Sequence, residues 1–147
     1  MTFTMDWLID CPPTTAFDLM ADVRNETRWN DGVSSAELLT AEPVGPGSRF
    51  VTTHGWPLGQ IESTITAFTR PQRFDVRATS KAMDLALSAT FAETGSGTSI
   101  HAEFDPAPKG LMKVLLPLLL PMIRRDLDRQ HQHFKALCES EARSLDR

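Results

Sequence analysis

The run GTSIHAEFDPAP (97–108) followed by KGLMKVLLPLLLPMIRRDLDRQHQHFKALC (109–138) decides the fold, because the hydrophobic period changes inside it. Up to Asp105 the apolar Ile100, Ala102 and Phe104 alternate with Ser99, His101 and Glu103, the period-two pattern of a strand with one buried face. Beyond Pro106-Ala107-Pro108, Leu111, Leu115, Leu118 or Leu119, Met122, Ile123, Leu127, Phe134, Leu137 and Cys138 recur at threes and fours, the stripe of an amphipathic helix. At about 1.5 Å per residue, a helix from Gly110 to near Glu141 crosses a whole small domain. Pro117 and Pro121 each remove an amide donor and press on the preceding turn. They predict a kink or a broken first segment, with regular helix only from about Pro121.

Working back from that strand, the stretch from about Ser34 to Asp105 is rich in Thr, Ile, Val and Phe and is punctuated by turn residues at strand-length intervals. The turns are Pro43 to Gly47, Gly55-Trp56-Pro57, Arg70-Pro71-Gln72, Ser80-Lys81 and Gly95-Ser96-Gly97. Between them one face carries Ile61, Ser63, Ile65 and Ala67, then Phe74, Val76 and Ala78, then Leu85, Leu87, Ala89 and Phe91. The other carries Glu62, Thr64 and Thr66, then Arg73, Asp75 and Arg77. At the start of the chain Phe3, Met5, Trp7 and Ile9 alternate in the same way and predict a first strand ended by Cys11-Pro12-Pro13. A short helix follows, capped by Thr14 or Thr15 with Phe17 turned inward, and a second helical turn over Asn25 to Trp29. The order is strand, two short helices, six strands and one long helix: an α+β protein of seven antiparallel strands, read as one domain over 1–147.

Composition narrows the function. A chain of 147 residues with 41% hydrophobic and 23% charged residues is that of a folded globular domain. Its net charge of −4 offers no field for a phosphate backbone, so no nucleic-acid partner is expected. Arg124, Arg125 and Arg129 are interleaved with Asp126 and Asp128, as on a solvated helix face. Cys11 and Cys138 form no Cys-x-x-Cys pair, which argues against zinc and for free thiols in a cytoplasmic protein; a bridge between them needs the fold to bring the chain ends together. The start of the chain lacks the basic and apolar regions of a signal peptide. The apolar run Leu111 to Ile123 is too short for a transmembrane segment.

The order of elements resembles the START-like or helix-grip (SRPBCC) superfamily, and within it the bacterial polyketide cyclase/dehydrase-like and lipid-transport-related group. The residues that carry the likeness are Cys11-Pro12-Pro13 before Phe17, Trp29-Asn30-Asp31-Gly32-Val33, Gly45-Pro46-Gly47-Ser48-Arg49-Phe50, Glu62 before Ile65, Pro71-Gln72-Arg73-Phe74, Gly97-Thr98 and Leu115 to Leu127. The resemblance implies a curved sheet gripping the long helix, with a hydrophobic pocket between them. Its lining would come from Phe50 and Thr52, from Ile61, Ser63 and Ile65, from Phe74 and Val76, and from Leu85, Leu87, Phe91 and Ile100 on successive strands. Leu115, Leu119 and Met122 would close it from the helix, and Trp29 and Trp56 from the loops.

Within that set, Trp29 is read either as a pocket wall or as a core anchor, and Trp56 as a gate at a hairpin tip. His54 continues the alternation of Phe50 and Thr52, so it is either the one candidate acid–base group or a hydrogen-bonded histidine at a strand end. His131 and His133, two apart on a helix, point to different sides and are read as surface residues. Glu62 is read as a cross-strand partner for a basic neighbour. No metal motif, phosphate loop or nucleophile elbow is apparent and no cofactor is expected, so the inferred pocket is apolar with few donors. The leading expectation is binding or carriage of a hydrophobic small molecule such as a lipid, quinone or polyketide-like metabolite. The alternatives are a cyclase or dehydratase using His54 with Ser63 or Thr52, and an interaction module that could pair as a homodimer.

Overall fold

A computed structural model describes residues 2–145. Seven strands form one antiparallel sheet in the order β1-β7-β6-β5-β4-β3-β2: β1 (Phe3–Ile9), β2 (Val33–Leu38), β3 (Arg49–His54), β4 (Gln60–Thr69), β5 (Arg73–Thr79), β6 (Met83–Thr94) and β7 (Gly97–Pro108). Five consecutive hairpins lay β2 to β7 side by side, and β1 returns to pair with β7, Met5 opposite Ala102 and Trp7 opposite Ile100. Between β1 and β2, α1 (Pro13–Ala21) and a 3-10 helix (Val23–Arg28) carry the chain across the concave face to the far edge. The last element is α2 (Met112–Leu145).

The expected alternation holds along β1, where Met5, Trp7 and Ile9 are buried, and along β7, where Ile100 and Ala102 are buried. It fails once. The β4–β5 register shifts between Ile65 and Ala67, after which Ala67 lies opposite Asp75 and Phe68 opposite Phe74. A bulge inserts one residue and reverses the parity beyond it, so Phe68 rather than Ala67 joins the inner face and meets Phe17 at 5.2 Å between ring centroids.

Two further expectations are corrected. Helix α1 begins directly at Pro13 with no side-chain cap, leaving Thr14 and Thr15 inside it; proline at the first helical position lacks only a donor that would be unpaired anyway. Helix α2 runs unbroken through Pro117 and Pro121. Both prolines are exposed, so water can take the carbonyls whose intrahelical partners they remove.

Phe17 fills the centre of one end of the sheet, its ring edge-on to Phe68, Phe74 and Phe91. The C-terminal half of α2 docks beside it: Phe134 lies 5.8 Å from Trp7 and 5.2 Å from Trp29. Cys138 and Cys11 meet there as buried, hydrogen-bonded free thiols. The Cys11 thiol is lowered mainly by that bond, whereas the bond and burial push Cys138 up. His131, expected on the surface, stacks on Trp7 with ring planes 4° apart. Among the described residues no helix is long and apolar enough to cross a membrane.

Gly97 opens β7 where its backbone passes against the end of β1. A Cβ there would stand 2.2 Å from the Ile9 carbonyl oxygen, and the neighbouring Thr98 hydroxyl donates to the Cys11 carbonyl at 2.6 Å. Because backbone has to move to admit a methyl, Gly97→Ala is expected to destabilise the protein by about 1–3 kcal/mol. Urea denaturation measures this, and an unchanged midpoint would contradict the close approach.

Candidate functional site

Strand register divides the inner face of the sheet into rows. Phe91, Ile100 and Trp7 form one row, and Phe74, Ala89, Ala102 and Met5 the next; all are buried under α1 and the C-terminal half of α2. The third row, Ile65, Val76, Leu87 and Phe104, is buried in its first two members and half-buried in the others. In the fourth, Ser63, Ala78, Leu85 and Pro106, only Ser63 is buried. Along β5, β6 and β7 burial thus falls from the α1 end toward the hairpin tips, while on β3 Phe50, opposite Ser63, and Thr52, opposite Ile61, stay buried. The closest backbone approaches of α2 are to α1, β1, β7 and the 3-10 helix rather than to β2 through β6.

Half-buried apolar side chains gather at the end of the sheet that holds the β3–β4 and β5–β6 turns, Ile61, Leu85 and Leu87 on the sheet side and Leu115 and Leu119 on the helix side, whereas a cleft of about 360 Å³ lies at the opposite end of the sheet, between Pro12, Pro13, Pro71 and the β6–β7 turn. Phe50, Ile65, Phe74, Val76, Phe91 and Ile100, also expected to line a pocket, are buried members of the packed core. Leu116 and Met112, which no reading of the sequence singled out, are the buried positions in the first turns of α2. Met122 is 51% exposed on the outward face of the helix, and Trp56 is 82% exposed at the β3–β4 tip.

Several polar groups interrupt the apolar wall. Thr52 Oγ1 and His54 Nε2 are 2.9 Å apart on the inner face of β3, and desolvation lowers the histidine's pKa, so the imidazole is neutral at pH 7. One strand over, Ser63 Oγ is buried with no hydrogen-bond partner, as is Trp29 Nε1. The third group escaped sequence reasoning. Glu26 stands three residues before Trp29 in the 3-10 helix, where side chains at that spacing eclipse one another. Its carboxyl is enclosed although the residue keeps some exposed area. Its partner is the Asn30 amide, donating at 3.4 Å. Burial pushes it up to about 7, the Asn30 bond opposing only in part. Asn30 also lines a cleft of about 70 Å³ with Asp31, Gly32, Asp126, Arg129, Gln130 and His133, where α2 meets the loop before β2. The Arg129 and His133 side chains approach Asp31 across it at 3.4 and 3.5 Å. By contrast Glu62, as its outward parity implies, pairs with Arg49 on the convex face.

The Glu26 carboxyl makes stability depend on pH. Between its ordinary 4.5 and about 7 the folded protein holds a proton that the unfolded chain has lost. Stability therefore falls as pH rises through that window and levels off above it. Glu26→Gln keeps an acceptor for Asn30 without the charge. It is expected to match the parent near pH 5 and to exceed it by up to about 3 kcal/mol near pH 8. Urea denaturation at the two pH values checks this; an equal change at both would mean that the carboxyl is not held neutral.

Comparison with known proteins agrees with this architecture. The sequence matches the family described as "Polyketide cyclase / dehydrase and lipid transport" over residues 1–139, while no curated protein sequence matches it. TTHA0849 from Thermus thermophilus superposes with a TM-score of 0.76 at 13% identity, covering 97% of this chain and 99% of that one. A START superfamily protein from Mycobacterium smegmatis gives 0.75 at 10% identity, covering 95% and 97%. Ara h 8.0201 gives 0.67 at 14% identity, covering 92% and 98%. At such identities the structural likenesses establish the helix-grip fold alone, but the sequence match extends over nearly the whole chain: the protein belongs to the polyketide cyclase/dehydrase and lipid transport family.

Proposed function

We propose that the protein binds and carries a hydrophobic small molecule, of the lipid, quinone or polyketide-like class, in a cleft between the sheet and the first half of α2. The observation that carries this reading is the pair of buried polar groups without partners, Ser63 Oγ and Trp29 Nε1, in a largely apolar interior. A buried polar group left unpaired costs about 1–3 kcal/mol. A ligand bearing a carbonyl or hydroxyl oxygen recovers that cost by accepting from the indole or the serine, while its apolar body covers Ile61, Leu85 and Leu87. The family description, which includes lipid transport, points the same way.

A second reading, an acid–base enzyme of the cyclase or dehydratase type, draws on the near-neutral Glu26 carboxyl together with a neutral His54. Groups that titrate near the working pH are suited to proton transfer. Loss of turnover of a poly-β-ketone in Glu26→Gln and His54→Gln variants that still bind ligand would favour it over carriage.

Native mass spectrometry of the purified protein, with displacement of a fluorescent fatty-acid probe, tests the binding reading. Ser63→Ala is expected to leave the ligand-free protein at least as stable as the parent, because it removes an unpaired hydroxyl, and to weaken the probe about fivefold by loss of a hydrogen bond worth about 1 kcal/mol. Ser63→Phe, which fills the cleft, is expected to abolish binding. A protein that takes up no apolar ligand, or a Ser63→Phe variant that binds as well as the parent, overturns the proposal.

A further inference from the structure

Among the described residues, five of the eight exposed large apolar side chains gather at one end of the fold, while Leu8, Leu39 and Leu145 stand singly elsewhere. Leu111, Val114, Leu118 and Met122 are 69%, 64%, 71% and 51% exposed. Their spacings of three and four put Val114, Leu118 and Met122 on one stripe of α2, which Leu111 extends from the residue just before the helix, facing away from the buried Met112 and Leu116. Trp56, 82% exposed, crowns the β3–β4 hairpin. Register shows that these lie at the same end of the sheet: Thr79 is opposite both Glu62 and Asp84, and Met83 is opposite Pro108. The tips at 55–59 and 80–82 and the start of α2 therefore all lie at the same end of the sheet.

Charge follows the same geography. From Lys109 to Arg125 there are four cations and no acid, in a chain whose net charge is −4. Lys109 is engaged by Asp84 at 3.0 Å. Lys113, Arg124 and Arg125 are exposed, and among the described residues no carboxylate pairs with them. An apolar stripe flanked by unpaired cations, next to a lone exposed tryptophan, is the composition of a helix that lies in the headgroup plane of a bilayer. A second copy of this chain would present the same cations and repel them; an anionic lipid surface complements both the stripe and its flanks.

We propose that the outward face of the first half of α2, with Trp56, docks on an anionic lipid surface, so that the cleft opens toward the membrane. The proposal concerns the surface and does not require the pocket reading, although it would give a carried molecule a route in and out.

Vesicle flotation with phosphatidylcholine alone and with added phosphatidylglycerol, at low and high salt, tests it. Binding is expected to be about tenfold or more stronger to the anionic vesicles and to weaken with salt. Tryptophan emission should shift to the blue, a change lost in Trp56→Phe because Trp7 and Trp29 are already buried. Leu118→Glu and the double variant Lys113→Glu, Arg124→Glu alter exposed side chains. They should keep the circular dichroism spectrum, and the fatty-acid probe if the cleft binds it, while losing vesicle binding. Equal binding to neutral and anionic vesicles, no binding to either, or a dimer by light scattering that Leu118→Glu dissolves would overturn the proposal.

Discussion

A helix of 34 residues is anchored to this sheet mainly through its second half, and the rest of the structure follows from that attachment. Phe134 wedges between Trp7 and Trp29 while Cys138 meets Cys11, so the helix is tied to the first strand and to the 3-10 helix. Phe17, surrounded by three other phenylalanines, plugs the same end from α1. Dense packing there leaves no slack, because aromatic rings held edge-to-face fix the separation of helix and sheet. Farther along, α2 makes few close backbone approaches to β2 through β6, and the apolar face continues in the half-buried Leu85 and Leu87.

Groups that a stable core would reject persist inside this protein. An unpaired serine hydroxyl, an unpaired indole N–H and a carboxyl held near neutrality are all unfavourable in a closed apolar interior. Ser63 lies on β4 toward the hairpin tips, whereas Trp29 packs against Trp7 and Phe134 beside the 3-10 helix that carries Glu26. Their opposite numbers on the convex face, such as Arg49 with Glu62 and Arg73 with Asp75, are ordinary exposed ion pairs that add little stability.

Much of the sheet could be read directly from the chain, because each strand has one wet face and one dry face and an alternating pattern allows only one orientation. The reading failed where parity was broken by a bulge at Ile65–Ala67, which leaves no mark in composition. It was also imprecise in the first turns of α2. From Leu111 to Leu120 only Lys113 and Pro117 interrupt the apolar residues, so periodicity there cannot choose between Leu115 and Leu116 for the inward face. Glu26 was missed for a related reason: a lone acid in a charged segment reads as solvated, and only the tight pitch of a 3-10 helix brings it in line with Trp29.

The order and type of the elements are legible in the chain alone, since strand alternation, turn residues and the helical stripe are local properties enforced by burial of one face. Which positions are fully packed, which face of α2 stays in water and which polar groups lack partners emerge only in the folded molecule. Those depend on where a helix pinned at one end sits relative to strands distant in the chain, and no local pattern encodes that distance.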